Sequence, residues 1–224
     1  SLFKNVSTSN NISLGAYSMY GMSGSGGILE AYSTADAGNN IALGKYSLSS
    51  VSSTTRSSIA IGNESLGFNQ SGFNDQFSVA LGNQSLRAYK TGFNNLGLGT
   101  TAGTSFVNGN NNTFLGANSG VTSIATNYVF SSAMGAGATV GASNSIVLGR
   151  TPGFPVSNTV QDNVGIGTVT PSNSLHVKAT TNPVKFEGLQ NDATATNFVM
   201  VGSDGVLKTI TKNSQDGTND AWVN

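Results

Sequence analysis

Short runs of alternating apolar and small residues recur along the chain, and each run ends at a glycine. In "NNIALGKYSL", Ile41 and Leu43 lie on either side of Ala42, and Gly44 follows. Alternation with a period of two predicts a short strand that buries its aliphatic face. The glycine allows a bend or a close backbone approach that a Cβ atom would hinder. The small residue three positions after the glycine, Ser47 in this copy, is predicted to turn inward.

The same phrase recurs as "NNISLGAYSM", "SSIAIGNESL", "FSVALGNQSL", "NNLGLGTTAG", "NNTFLGANSG" and "NSIVLGRTPG". The equivalent glycines, which we take as structural repeat positions, are Gly15, Gly44, Gly62, Gly82, Gly99, Gly116, Gly135, Gly149 and Gly167. Their spacings are 29, 18, 20, 17, 17, 19, 14 and 18 residues. A strand this short cannot bury its face alone, so neighbouring copies must stack. The sequence therefore predicts an all-β fold, a β-solenoid (β-roll) of stacked 14–20-residue repeats whose extra residues leave as loops.

The connecting segments carry a second recurring signal, the tripeptide Gly-Phe-Asn. It occurs at 67–69, 72–74 and 92–94. Because Gly and Asn tolerate positive φ, these tripeptides are predicted to be turns. Their phenylalanines are interpreted as packing residues between coils or between chains rather than as ligand contacts. Near the end of the chain, Asp204-Gly205 between "FVMV" and "VLKTI" predicts a β-hairpin.

Composition excludes several classes of function. The chain has 224 residues, with ten basic and ten acidic side chains, so no net field attracts nucleic acid or an anionic membrane. Ser, Thr, Asn and Gly make up about half of it, which without the periodicity would indicate disorder. Cysteine is absent, so neither disulfides nor thiolate chemistry are expected. No membrane-spanning run or signal peptide is visible, and the start at Ser1 rather than Met is compatible with either a processed or a truncated chain.

The repeat phrase resembles known families. The pattern apolar-Ala-[Leu/Ile]-Gly-x-x-[Ser/Ala] resembles the head repeats of trimeric autotransporter adhesins of the YadA type. "NNTFLGANSG" resembles the repeats of phage tail fibres and related bacterial surface fibres. "DNVGIGTVTPSNSLHV", residues 162–177, is similar to an element that follows such repeats, and residues 182–210 are similar to β segments near the ends of fibre shafts.

This resemblance implies an intertwined parallel homotrimer in an extracellular fibre, on a virion or a bacterial cell surface. The fibre would extend and present a region that binds a host or surface glycan, alongside other fibre components. From composition and the lack of catalytic motifs, we expect no enzymatic activity, no cofactor, no metal, no nucleic acid and no membrane insertion by this segment. The corresponding domains are a repeat solenoid at 1–150, a transition element at 151–178 and a short C-terminal hairpin module at 179–224. The alternative is the head of a cell-surface trimeric adhesin, which would have the same repeat structure and the same interactions between chains.

Oligomerisation is also expected from the residues themselves. Each repeat has two or three aliphatic side chains together with small residues, which is little material for a hydrophobic core within a single chain. Faces buried between chains would complete that core and make the assembly obligate.

Candidate catalytic residues are few. His176 is the single histidine, and strand alternation around it indicates an exposed strand residue. Asp36, Asp75 and Asp162 are predicted to lie in loops. If folding brought two acids together there, they could act as the catalytic pair of a polysaccharide-degrading β-helical enzyme, which is a further alternative. The glycines of "GIGTVTP" at 165–171 lack the third glycine and the helix of a dinucleotide-binding fingerprint.

The tyrosines are the candidate contact residues. Tyr17 and Tyr46 stand two residues after a repeat glycine, and Tyr20, Tyr89 and Tyr128 lie on connecting segments. Exposed aromatic rings can stack on sugar rings, but the interpretation we favour is that these rings cap the solenoid or pack between chains. An ice-binding solenoid is a further alternative, but the threonines at 54–55 and 100–101 do not recur at one repeat position.

Overall fold

The computed structural model describes residues 11–19, 39–49, 55–67, 74–124, 127–150, 162–181, 184–185, 187 and 197–211. Within these residues, all regular secondary structure is β-strand. The strands are β1 (Ile12–Leu14), β2 (Ile41–Leu43), β3 (Ile59–Ile61), β4 (Asn74–Gln76), β5 (Val79–Leu81), β6 (Thr91–Phe93), β7 (Leu96–Leu98), β8 (Asn108–Asn110), β9 (Thr113–Leu115), β10 (Gly120–Val121), β11 (Tyr128–Val129), β12 (Ser132–Met134), β13 (Thr139–Val140), β14 (Ile146–Leu148), β15 (Val164–Ile166), β16 (Leu175–Val177), β17 (Asn197–Val201) and β18 (Leu207–Thr211). Over the same ranges, we find no helix with the length and apolar character needed to traverse a bilayer.

The repeat strands form one parallel sheet, here called the main sheet. Its order is β1-β2-β3-β5-β7-β9-β12-β14. Equivalent repeat positions are paired at every step, as in Ile41 with Ile59 and Leu43 with Ile61. The chain is therefore an all-β solenoid of stacked coils, which confirms the predicted fold class.

A second parallel sheet, with the order β11-β8-β6-β4, lies on the connecting segments. β6 and β8 pair Thr91 with Asn108 and Phe93 with Asn110. The predicted turn at 92–94 is wrong for its first two residues, which belong to β6, whereas Asn94 makes a bend with φ +56°. A smaller sheet pairs β10 with β13.

One residue in the left-handed conformation lies two positions before each main-sheet strand from β2 onward. These corner residues are Asn39, Ser57, Phe77, Asn94, Asn111, Phe130 and Asn144, with φ between +52° and +59°. Asn accepts this conformation better than other residues with a Cβ atom, whereas Phe77 and Phe130 are strained there. After β4, β6, β8 and β11, the corner turns the chain from the second sheet into the main sheet.

A glycine and a serine make the bend after a main-sheet strand. Gly44 has φ +130°, and a Cβ atom on it would lie 2.6 Å from the carbonyl oxygen of Gly62. Ser47 is buried and its Oγ donates to the carbonyl oxygen of Gly44 over 2.9 Å. Ser65 donates in the same way to Gly62 over 3.1 Å. The inward turn of the small residue is confirmed, because its hydroxyl satisfies a carbonyl at the bend.

The narrow interior of the coil is lined by the middle residue of each main-sheet strand. Ala42, Ala60 and Ala80 are fully buried, whereas Ile41 and Leu43 face outward and are only half-buried. The prediction that the aliphatic face is the buried one is therefore wrong within the chain. The reason is lack of space, since the interior already holds the buried leucines of the turns that follow, Leu48, Leu66 and Leu86.

Aromatic side chains fill part of the interior in the later coils. Tyr89 stacks on Phe106 with ring centres 5.4 Å apart, and Phe106 contacts Phe114 at 5.1 Å. Phe114 takes space that glycines leave open, because a Cβ atom on Gly103 would lie 2.8 Å from its ring. The two sheets thus enclose one core, with their outer faces on different sides of it.

The chain divides into two compact units, Ser1–Lys178 and Ala179–Asn224. In the first unit, β15 and β16 pair in parallel as a separate two-stranded sheet. In the second unit, β17 and β18 form an antiparallel hairpin. Gly205 has φ +76° at its turn, and the amide of Gly202 donates to the carbonyl of Val206 over 2.8 Å. The predicted hairpin is confirmed.

Candidate functional site

Two rows of side chains project from the outer side of the main sheet, and we call them together the aliphatic face. The first row is Ile12, Ile41, Ile59, Val79, Leu96, Thr113, Ser132 and Ile146, and the second is Leu14, Leu43, Ile61, Leu81, Leu98, Leu115, Met134 and Leu148. Neither row holds a charged residue. The rows run along the stacking axis because equivalent positions pair at each step.

The aliphatic face is exposed in the single chain. Ile12 is 56% exposed and Ile146 is 70% exposed at its two ends, and Leu98 and Leu115 remain 39% exposed near its centre. Eight strands about 4.8 Å apart make the face roughly 34 Å long. Soluble single chains seldom expose a continuous apolar patch of this kind unless something binds there. Thr113 is its single threonine, so this face is not the regular threonine array that ice binding requires.

The repeat glycines form a column beside the aliphatic face. A Cβ atom on any of Gly15, Gly44, Gly62, Gly82, Gly99 and Gly116 would collide with the backbone of the next repeat glycine. Gly135 approaches Gly149 less closely, at 3.2 Å from such a Cβ atom. Gly167 follows β15 and meets the carbonyl oxygen of Lys178 instead, outside the column. The column lets successive coils approach closely enough for their strands to pair.

The candidate contact tyrosines have different surroundings. Tyr17 and Tyr46 stack with ring centres 4.9 Å apart, and the Nζ atom of Lys45 lies 5.1 Å from the Tyr46 ring. Tyr89 and Tyr128 are buried, so their assignment to a contact surface is wrong. Their segments bend inward to fill the core, which an isolated tyrosine in the sequence does not reveal. Tyr20 lies outside the described residues.

Asp75 is a buried carboxyl group, not the loop residue that the sequence indicated. It belongs to β4, where Oδ2 accepts a hydrogen bond from Oγ of Ser58 over 2.5 Å. Oδ1 has no hydrogen-bond partner among the described residues. Burial raises the pKa of Asp75 to about 6. Hydrogen bonds to the carboxylate oppose this rise, and the bond from Ser58 has the largest lowering effect. Burial and the nearby Asp75 charge also raise the pKa of Tyr89.

The other candidate catalytic residues make structural contacts. Asp162 accepts from the backbone amide of Arg150 over 2.7 Å and from its guanidinium over 3.0 Å, and these bonds lower its pKa. His176 lies in a strand, β16, as predicted, but it is half-buried and not exposed, and its Nδ1 accepts from the amide of Ser172 over 3.3 Å. Asp36 lies outside the described residues. Within the described part of the chain, no three or more His, Asp and Glu side chains cluster as a metal site would require.

We compared the chain with protein-family models, curated proteins and solved structures. None of them matches. The assignment of function therefore depends on the surfaces of the molecule.

A shallow groove crosses the outer side of the second sheet. Its volume is about 460 Å³, and it is lined by Gln76, Thr91, Gly92, Phe93, Asn108, Gly109, Asn110, Asn127 and Val129. Sequence analysis missed this sheet because "NDQ", "TGF" and "NGN" lack the aliphatic alternation of a strand. The available signal was the recurrence of Gly before the outward residue, in Gly92-Phe93 and Gly109-Asn110, spaced 17 residues apart.

Proposed function

We propose that this protein is a non-enzymatic structural component of an extracellular homotrimeric fibre, on a virion or a bacterial surface. The fibre extends and presents a region that binds a host or surface glycan. The single observation that carries the proposal is the exposed aliphatic face. The number of chains and their parallel direction come from the resemblance of the repeats to trimeric fibres and adhesin heads.

The aliphatic face supports assembly because its burial releases water from apolar surface on every chain. A closed symmetric assembly buries this face on every copy, so that no apolar surface remains exposed for open-ended association. The face lacks charged groups, so chains can approach without desolvating an ion. These are the properties of an obligate interface, in which folding and association are linked.

The laddered coils support a mechanical role. Every main-sheet strand pairs in register with the next, and the backbone hydrogen bonds run along the stacking axis. Such a ladder resists bending and stretching, as a fibre must. Three identical outer surfaces at one end of a rod would also add weak contacts by avidity.

Native mass tests the proposal. We expect light scattering of the full chain to give the mass of three chains, and an unboiled detergent gel to retain that species. Leu98→Glu together with Leu115→Glu places two charges on the aliphatic face and should give single chains. Thr91→Glu adds a charge to the second sheet instead and should leave the trimer intact. A single-chain mass for the unmodified protein would overturn the homotrimer.

A further inference from the structure

The groove on the second sheet has a backbone floor between two rows of side chains. In β6 and β8 the middle residues, Gly92 and Gly109, take the inward position, so they add no side chain to the outer face. Thr91 and Asn108 form one wall, and the row that contains Phe93 forms the other. A volume of about 460 Å³ lies within the range of small-ligand sites. The groove runs across the strands, along the stacking axis.

The amide side chains on these walls have fixed orientations and spare hydrogen-bonding groups. Oδ1 of Asn108 accepts from Oγ1 of Thr91 over 2.7 Å. Oδ1 of Asn110 accepts from the amide of Phe93 over 3.1 Å. Both Nδ2 groups are without an acceptor in the described part of the chain, and each can donate two hydrogen bonds. The ladder thus holds the carboxamides in place for an external acceptor.

Charge and aromatic character narrow the ligand class. Among the described residues no Asp, Glu, Lys or Arg lines the groove, and Arg56, which bridges Gln76 at one end of the sheet, is not part of the lining. A phosphate- or sulfate-bearing ligand would call for Arg or Lys. A peptide strand would call for a free sheet edge, whereas the groove lies on a sheet face. Phe93 is 43% exposed and offers an apolar ring beside the amides.

We infer that this groove binds a neutral oligosaccharide. Carboxamides supply the donors and acceptors that sugar hydroxyl groups require, and the Phe93 ring covers the C–H face of one sugar. Four strands span about 14 Å, which suits a short oligosaccharide laid along the stacking axis. This assignment rests on the proposed function, because a trimeric fibre brings three such grooves together and strengthens weak binding by avidity.

The test uses the full-length chain in its native assembly state and an array of immobilised oligosaccharides. The neutral set contains glucose, galactose, mannose and N-acetylglucosamine oligomers, and the charged set contains sialylated and sulfated ones. We expect binding within the neutral set. Phe93→Ala and Asn108→Ala should each weaken it at least tenfold. Phe130→Ala is the matched control, since Phe130 is 62% exposed but does not line the groove, and it should bind like the parent.

Three outcomes would overturn the inference: no binding to the neutral set, binding confined to the charged set, or binding that survives both groove variants. Far-UV circular dichroism of each variant checks that the coil is folded, and two chemically different variants keep the test independent of either one. Light scattering of the same samples separates this inference from the fibre proposal. A trimer without glycan binding overturns the groove alone, and a single chain that binds neutral glycan overturns the fibre alone.

Discussion

At the scale of single residues, this fold depends on backbone conformations that few side chains permit. The repeat glycines from Gly15 to Gly135 adopt φ values between +119° and +139°, and the backbone of the neighbouring coil lies close to each of them. The corner residues adopt the left-handed conformation, which asparagine fills in four of the seven described corners. These positions determine where each coil bends, and they tolerate substitution poorly.

Gly99 provides a direct test of the glycine column. It has φ +134°, and a Cβ atom on it would lie 2.8 Å from the carbonyl oxygen of Gly116. Backbone strain and overpacking together predict that Gly99→Ala lowers the free energy of unfolding by roughly 2–5 kcal/mol. Urea unfolding followed by circular dichroism measures this loss. Gly120→Ala is the control, because its φ is not positive and the nearest atom would lie 3.9 Å away; equal losses in the two variants would refute the argument.

Asp75 gives the molecule a pH dependence of stability. Its folded pKa of about 6 lies above its ordinary value of 3.8, so the folded state favours the protonated acid. The stabilisation is fully present below pH 3.8 and is lost as the pH rises through about 6. A shift of roughly two pKa units corresponds to about 3 kcal/mol. Asp75→Asn should therefore remove the decline between these pH values and unfold at a higher temperature at pH 7.

Thermal unfolding of parent and variant across this pH range supplies the measurement. Asp204→Asn is the control, since Asp204 is exposed and its hydrogen bond from Lys208 lowers its pKa. That control should keep the decline. A parent whose stability rises steadily from pH 4 to pH 6 would contradict the assignment.

At the scale of elements, a buried asparagine ladder joins the two sheets. Nδ2 of Asn112 donates to Oδ1 of Asn95 over 3.0 Å and to the carbonyl oxygen of Tyr128 over 2.8 Å. Oδ1 of Asn112 accepts from the amide of Ser131 over 3.0 Å. Each asparagine thus satisfies backbone groups of the following coil, at the place where the chain leaves one sheet for the other.

Removing one member of this ladder should be costly. Asn112→Ala leaves the Ser131 amide and the Tyr128 carbonyl buried without partners, and we expect a loss of about 2–4 kcal/mol in the free energy of unfolding. Asn108→Ala removes a single exposed hydrogen bond from Thr91 and should cost less than about 1 kcal/mol. Chemical denaturation of the two variants compares them directly. Similar losses would mean that the buried ladder contributes nothing special.

The sequence alone predicted the main sheet but not its inner side. Alternation separates two faces of a strand, yet it does not say which face meets a core when the enclosed space is narrow. Ala42 is enclosed and Ile41 is outside because the coil has room for a methyl group there and little more. The second sheet escaped prediction because backbone pairing between coils holds it, with Gly92 and Gly109 in place of apolar side chains. The groove was missed for the same reason.

At the scale of the whole molecule, the two compact units should differ in stability. β5, β7 and β9 each pair on both sides with strands of other coils, whereas β17 and β18 form a hairpin with exposed Val199 and Val201. Isolated two-stranded hairpins are marginally stable in water. Amides of Phe198–Met200 should therefore exchange with solvent at least tenfold faster than those of β5, β7 and β9. Hydrogen exchange followed by mass spectrometry tests this, and equal protection in both units would show that the hairpin is stabilised by further contacts.

The in-register pairing of equivalent positions has an evolutionary consequence. Gly82, Gly99 and Gly116 follow one another at intervals of 17 residues. The strands β5, β7 and β9 pair in register, with equivalent repeat positions opposite each other. A gene duplication of residues 83–99 would insert one more coil. The new coil would pair with the coils on either side through the same contacts that neighbouring coils already make. The main sheet would lengthen by about 4.8 Å. Length in such a molecule can thus be inherited and selected in discrete steps, separately from the chemistry of its surface.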